Sequence, residues 1–283
     1  MSISGRQEAY EWAVRNTLFK NALRVGVVAP DVSIFSHLSK QLTWLTFTST
    51  FPFKDEHMLL LPDTLQFLQI RCGGSPYLTD ECIPALPRDI REVHFLECFN
   101  VRAMQYPLPM KIDTLTIGPT DSTPPLRPQY PPYLTSLSLH SAFISEQALQ
   151  VMPWFITTLV VESAVLSNTC AYLLPKYLLS LRALRFEIED DGVASLPRGL
   201  VNFDAREGAK SLSDESAADW PPLIQRLVIP GNLFSIEGMK QLPRTLTLIH
   251  MPSASLVAVE EGKRLQDYLG PHIRRLHVGI HRL

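Results

Sequence analysis

The sequence predicts an α/β solenoid in which short parallel strands stack side by side and short helical turns join them. The first observation is a pattern that returns along nearly the whole chain: Leu-Pro, two variable residues, then apolar-x-x-apolar-x-apolar. Its clearest copies are LPDTLQFLQI at Leu61, LPRDIREVHF at Leu86, LPMKIDTLTI at Leu108, MPWFITTLVV at Met152 and LPRTLTLIHM at Leu242. PPYLTSLSL at Pro131 and PPLIQRLVI at Pro221 repeat it, and QLTWLTF, LRALRF, LVNFDA and IRRLHV are divergent copies. The first apolar anchors are Leu42, Leu65, Ile90, Ile112, Leu134, Ile156, Leu181, Leu200, Ile224, Leu246 and Ile273, which is eleven copies at a mean spacing of about 23 residues. Within each copy the last apolar pair alternates with period two, as Leu137 and Leu139 do, so a short strand buries one face and exposes the other.

The second observation is the link between copies. LTDECIPALP, ISEQALQVMP, LSNTCAYLLP and FSIEGMKQLP each place a Ser or Thr eight residues before a Pro and a small residue three positions after it. Thr79, Ser145, Ser167 and Ser235 are expected to cap a short helix or 3₁₀ turn, with Cys82, Ala148, Cys170 and Gly238 packed beneath it. The Pro ends that turn and biases the preceding residue toward extended backbone. A lone copy cannot bury its apolar stripe, whereas stacked copies bury it against their neighbours.

Composition bounds the function. The 283 residues include 42 Leu and 23 Pro, 46% hydrophobic and 19% charged residues, and a net charge of −2, which fits neither a disordered tail nor a highly charged coiled coil. That balance, with an isoelectric point near 6.4, argues against a protein built to neutralise nucleic-acid phosphate or anionic lipid. Cys72, Cys82, Cys98 and Cys170 form no CxxC pair and no Asn-x-Ser/Thr site occurs, so the expected location is intracellular and cytoplasmic. The longest apolar stretch, 147–161, is broken by Pro153 and is too short for a membrane span. Acidic Glu8 and Glu11 argue against a signal peptide.

Over 42–278 the chain resembles the leucine-rich-repeat superfamily, and its Leu-Pro lead-in is similar to the LPxxL repeats of bacterial effectors and the FNIP-type repeats of protists. The resemblance implies a horseshoe: an α/β leucine-rich-repeat solenoid with a concave parallel β-sheet and short helical or 3₁₀ turns on the convex side. Leucine-rich repeats usually place an Asn after each strand to ladder its amide to neighbouring backbones. Here Asn232 and Cys98 occupy that position, while other copies have Thr50, Gly73, Thr120, Ala142, Ala164, Glu189, Gly208 or Ala254, so the turns are expected to be held differently from repeat to repeat. Residues 1–35, with Ala9, Tyr10, Trp12, Ala13, Val14, Leu18, Phe19 and Leu23 at helical spacing, are expected to form an N-terminal cap, followed by the solenoid over 36–283. The proline-rich stretch from Gly118 reads as an extended connection, the polar stretch from Arg206 to Trp220 as a surface loop, and KRLQDYLG as a short helix in a C-terminal cap.

No catalytic motif or cofactor site emerges. There is no HExxH, zinc spacing, GxxxxGK[ST], GxGxxG or GxSxG, and the ligase activity that some LPxxL effectors carry in a domain after their repeats is not expected here. The expected function is noncatalytic recognition of a protein or peptide on the concave face, through Trp44, Phe67, Glu92, His94, Thr114, Thr116, Ser136, Ser138, Arg185, Arg226, His250, Arg275 and His277. His250 and His277 fall on adjacent expected strands. The alternatives are a substrate-receptor subunit of a ubiquitin ligase, with 1–35 binding an adaptor, and anionic-ligand or RNA binding by the late arginines.

Overall fold

The computed structural model describes residues 2–3, 22–29, 32–49, 51–73, 75–101, 106–118, 130–140, 144, 146–208, 212–229, 234–251 and 271–278. Among the described residues, thirteen strands form a parallel sheet whose spatial order follows the sequence. They are β1 Ser2–Ile3, β2 Arg24–Ala29, β3 Trp44–Ser49, β4 Phe67–Arg71, β5 Glu92–Leu96, β6 Thr114–Ile117, β7 Ser136–Leu139, β8 Thr158–Leu166, β9 Ser180–Phe186, β10 Asn202–Glu207, β11 Arg226–Val228, β12 Leu248–Met251 and β13 Arg275–Val278. Short helices lie between them, from Asp55–Leu60 in the early repeats to Ile236–Gln241 in the late ones. The chain divides into two compact units, Met1–Ala142 and Phe143–Leu283, each with its own stack.

The repeat motif explains the local structure. In nine copies the carbonyl of the Pro accepts the N–H of the apolar anchor three residues on, as Pro62 does from Leu65 at 3.1 Å and Pro197 from Leu200 at 3.0 Å. This tight turn aims the anchor inward, and Leu65, Ile90, Ile112, Leu134, Ile156, Leu178, Leu200, Ile224 and Leu246 are fully buried. The Leu before the Pro is extended where it ends a helix, with φ −65° and ψ 138° at Leu86 and φ −60° and ψ 147° at Leu196, the geometry that a following Pro favours. Its N–H still bonds back into the helix, as Leu86 does to the Ile83 carbonyl at 3.1 Å.

The cores are filled accordingly. In the first unit the rings of Phe35, Phe47 and Phe53 meet at centroid distances of 5.1 to 5.7 Å, and in the second Phe186, Phe203 and Trp220 form a similar run at 5.1 to 5.9 Å. Cys82, Ala148 and Cys170 are buried beneath their turns. The expected caps hold at Thr79, whose hydroxyl accepts the Glu81 N–H at 3.2 Å, and at Ser235, which accepts from Gly238 at 3.2 Å. At Ser167 the hydroxyl turns instead to the Thr169 hydroxyl, 2.7 Å away, and the helix begins at Cys170. Ser145 lies outside the described residues.

Three sequence readings change. The sheet begins before residue 36: Arg24–Ala29, inside the expected helical cap, is a strand paired along its whole length with β3, because Val25 and Val27 alternate inward as in later copies. The helical spacing at 9–19 falls outside the described residues, as do 119–129 of the proline-rich stretch, Asn232 and KRLQDYLG. The anchor of β9 is Leu178, since Ser180 pairs with Asn202 and Leu178 therefore corresponds to Leu200. Finally, part of the expected polar loop is a regular turn: Ser213 stands eight residues before Pro221 and caps Asp214–Ser216, with Ser216 and Trp220 buried.

Candidate recognition surface

Period-two alternation sends two rows of side chains to the face of the sheet opposite the core. In the first unit the rows are Arg24, Trp44, Phe67, Glu92, Thr114 and Ser136, and beside them Gly26, Thr46, Gln69, His94, Thr116 and Ser138. Every residue expected to bind a partner from Trp44 through Ser138 therefore sits in register on adjacent strands. Trp44 and Phe67 stack with centroids 4.8 Å apart and planes 14° apart, and the His94 ring tilts against Phe67 at 5.2 Å. His94 Nδ1 lies 2.8 Å from the Thr116 hydroxyl, and Nε2 lies 3.8 Å from a Glu92 carboxylate oxygen. That contact leaves Thr116 buried, so it supports His94 more than it offers surface. Burial lowers the His94 pKa below the ordinary histidine value, with nearby Glu92 opposing the shift.

In the second unit the rows are Thr158, Ser180, Asn202, Arg226, Leu248 and Arg275, and Val160, Arg182, Asp204, Val228 and His250, with the backbone of His277 in register beside His250. His250 and His277 are direct cross-strand neighbours, as their expected strands required. Arg185 is not in either row. The shift of the β9 anchor from Leu181 to Leu178 gives its slot to Arg182, and Arg185 falls beyond a register shift, where it binds Glu207 at 2.7 Å. Arg182 meets Glu162 at 3.8 Å, and Asp204 is held by Arg206 at 3.3 Å and Arg226 at 3.4 Å. Arg226, Leu248, His250, Arg274 and Arg275 line a depression of about 420 Å³.

Two features escaped the sequence reading. A hydrogen-bond ladder joins successive turns on the opposite side from these rows: Asp55 accepts the Thr79 N–H and hydroxyl at 2.7 and 2.8 Å, and Asp190 accepts the same groups of Ser213 at 2.8 and 2.6 Å. Asp214 does the same for Ser235, and the Asn168 side-chain oxygen accepts the Glu189 N–H at 2.9 Å. Asp55, Asp190 and Asp214 each follow their own cap residue by one position, a signal visible in Lys-Asp, Glu-Asp and Ser-Asp. The second feature is a groove of about 570 Å³ where Trp154, Tyr172 and Tyr177 are exposed, Trp154 and Tyr177 lying at the variable residues after Met-Pro and Leu-Pro.

Cys72 and Cys98, on adjacent repeats, bring their sulfurs within 3.1 Å as thiols. That hydrogen bond and burial push the Cys72 thiol pKa far up, and burial does the same at Cys82. Among the described residues no group of His, Cys, Asp and Glu side chains could hold a metal ion, and no helix is long and apolar enough to cross a membrane.

No family model and no curated protein matches the sequence. Solved structures do match the fold. The Toll–Spatzle complex of Drosophila aligns with 92% of this chain at a TM-score of 0.53 and 12% identity, and the circular leucine-rich-repeat protein CroV588 with 90% at 0.51 and 16%. The chain spans 38% and 42% of the length of those two chains. LegL7 from Legionella pneumophila aligns over 97% of both chains, with a TM-score of 0.49 and 11% identity. The strand order, the repeat geometry and the likeness to the Toll and CroV588 chains define the fold as a leucine-rich-repeat solenoid.

Proposed function

We propose that this chain is a noncatalytic recognition module that binds a protein or peptide partner through the sheet face opposite its core, working in the cytoplasm. The observation that carries the reading is the Trp44, Phe67 and His94 cluster. Three rings are held side by side on adjacent strands, with Glu92 and the small Thr114 and Ser136 beyond them. All three are half-buried, and partly exposed aromatics on a rigid sheet lose little entropy on binding and are among the side chains that most often dominate interface energy. The solenoid fold shared with the Toll–Spatzle complex, a protein–protein assembly, supports the class of function. The Leu-Pro lead-in supports an LPxxL-type repeat. Four buried free thiols are compatible with a reducing compartment.

The test is affinity capture from the native cell with the wild type and with Trp44→Ala/Phe67→Ala, both shown to be folded by circular dichroism. A stoichiometric partner retained by the wild type should fall at least about tenfold with the variant. Equal recovery from both would overturn the assignment to this face. A ubiquitin-ligase scaffold among the retained proteins would identify the substrate-receptor alternative.

A further inference from the structure

This inference rests on the reading of the sheet face as a recognition surface and specifies what its last repeats take. Arg182, Arg206, Arg226, Arg274 and Arg275 gather on β9 to β13 and their approaches, with Glu162 and Asp204 among them. Both acids already face arginines: Glu162 faces Arg182, and Asp204 lies between Arg206 and Arg226. Arg274 and Arg275 are exposed and, among the described residues, have no carboxylate within ion-pair distance. Arg275 pairs in register with Leu248, and Leu248 with Arg226. Two strand spacings thus separate the stems of Arg226 and Arg275 by about 10 Å, with Leu248 between them. The depression of about 420 Å³ lies over this arrangement.

We propose that this depression binds an acidic peptide segment, one carboxylate held by Arg274 and Arg275 and a neighbouring one drawn to Arg226. A guanidinium offers two parallel N–H groups that match a carboxylate, and an exposed one gives up water to do so. Leu248 supplies an apolar floor for the methylenes of a glutamate. The same layout disfavours a nucleic-acid strand, because Asp204 and Glu162 interrupt the positive charge that a continuous phosphate backbone would need.

Fluorescence anisotropy with a labelled, end-capped hexaglutamate peptide and the full chain tests this. Binding should be saturable and should weaken as salt is added, and an end-capped hexaglutamine peptide should bind at least about tenfold more weakly. Arg274→Gln/Arg275→Gln should cost about tenfold in affinity, while Arg274→Lys/Arg275→Lys, which keeps both charges but loses the paired N–H groups, should fall between the wild type and the Gln variant. Trp44→Ala should leave hexaglutamate binding unchanged. The proposal is overturned by equal binding of wild type and the Gln variant, by equal binding of hexaglutamine, or by a U-rich RNA oligonucleotide displacing the label at lower concentration than unlabelled hexaglutamate. Trp44-dependent partner capture with no hexaglutamate binding overturns this inference alone. Hexaglutamate binding lost in the Gln variant, with no Trp44-dependent partner, supports it while removing the reading of the first unit.

Discussion

His94 stands on the outer face of the sheet yet keeps only a fifth of its side chain exposed, because the Phe67 ring and the Thr116 hydroxyl close around it. His57 is similarly enclosed by Phe51 and Phe53, and its Nδ1 accepts the Lys54 N–H at 3.1 Å, which requires the neutral ring. Burial lowers both pKa values. The unfolded chain, with histidines near 6.5, then binds more protons than the folded one just below that pH. The histidine contribution to stability is complete above about pH 6.5 and is lost as pH falls through the lowered folded-state values. Urea midpoints should therefore drop between pH 8 and pH 5.5, and His57→Asn/His94→Asn should flatten the drop; an unchanged slope in that variant would refute the assignment. Backbone geometry imposes a second constraint at this scale. Gly208 has φ +101°, and a Cβ there would lie 2.8 Å from the Phe186 carbonyl oxygen. Gly208→Ala should cost about 1–3 kcal/mol in chemical denaturation; a neutral result would mean the turn relaxes freely.

At the scale of the element, the turn ladder takes over the work expected of an asparagine ladder. Asp190 shows its strength. Burial alone would raise its pKa, but hydrogen bonds from Ser213 outweigh that and hold the carboxyl below its ordinary range. Its contribution is present above about pH 4 and is lost as acid protonates it in the folded state. The equivalent Asp214 bridges to Ser235, and Asp214→Ala should cost about 1–3 kcal/mol in urea unfolding, because it strands a part-buried N–H and hydroxyl. Exposed Glu215→Ala, next in sequence, should change stability by less than about 0.5 kcal/mol. Equal losses from the two would show that the ladder adds nothing beyond local charge. The repeat frame itself was legible, since Leu-Pro and its anchor fix a turn by short-range geometry. It failed at β9, where Leu178, Leu179, Leu181 and Leu184 offer two apolar registers and only pairing with Asn202 selects the first. It also failed at β2, which lacks the Leu-Pro lead-in and is specified by its pairing with β3.

For the whole molecule, stacking decides what a sequence can reveal. Each repeat contributes a strand whose inward residues merge with those of its neighbours, so fold class follows from periodicity alone. The rows of the candidate surface were legible wherever the anchor was correctly placed, as from Trp44 to Ser138. Arg185 was assigned the outer-row slot that Arg182 holds because one anchor was displaced by three residues. The contacts within the rows were not legible, since the Trp44 and Phe67 stack and the sharing of Asp204 between two arginines depend on side-chain positions across strands. The most direct test of recognition by this face is site-specific photo-crosslinking in the native cell, with benzoylphenylalanine placed at Phe67, at Ser180 or at Glu81. Phe67 and Ser180 lie in the outer rows, whereas Glu81 lies on a helical turn away from them. The account predicts crosslinked partner from Phe67 and Ser180 and none from Glu81; crosslinks from Glu81 alone would contradict it.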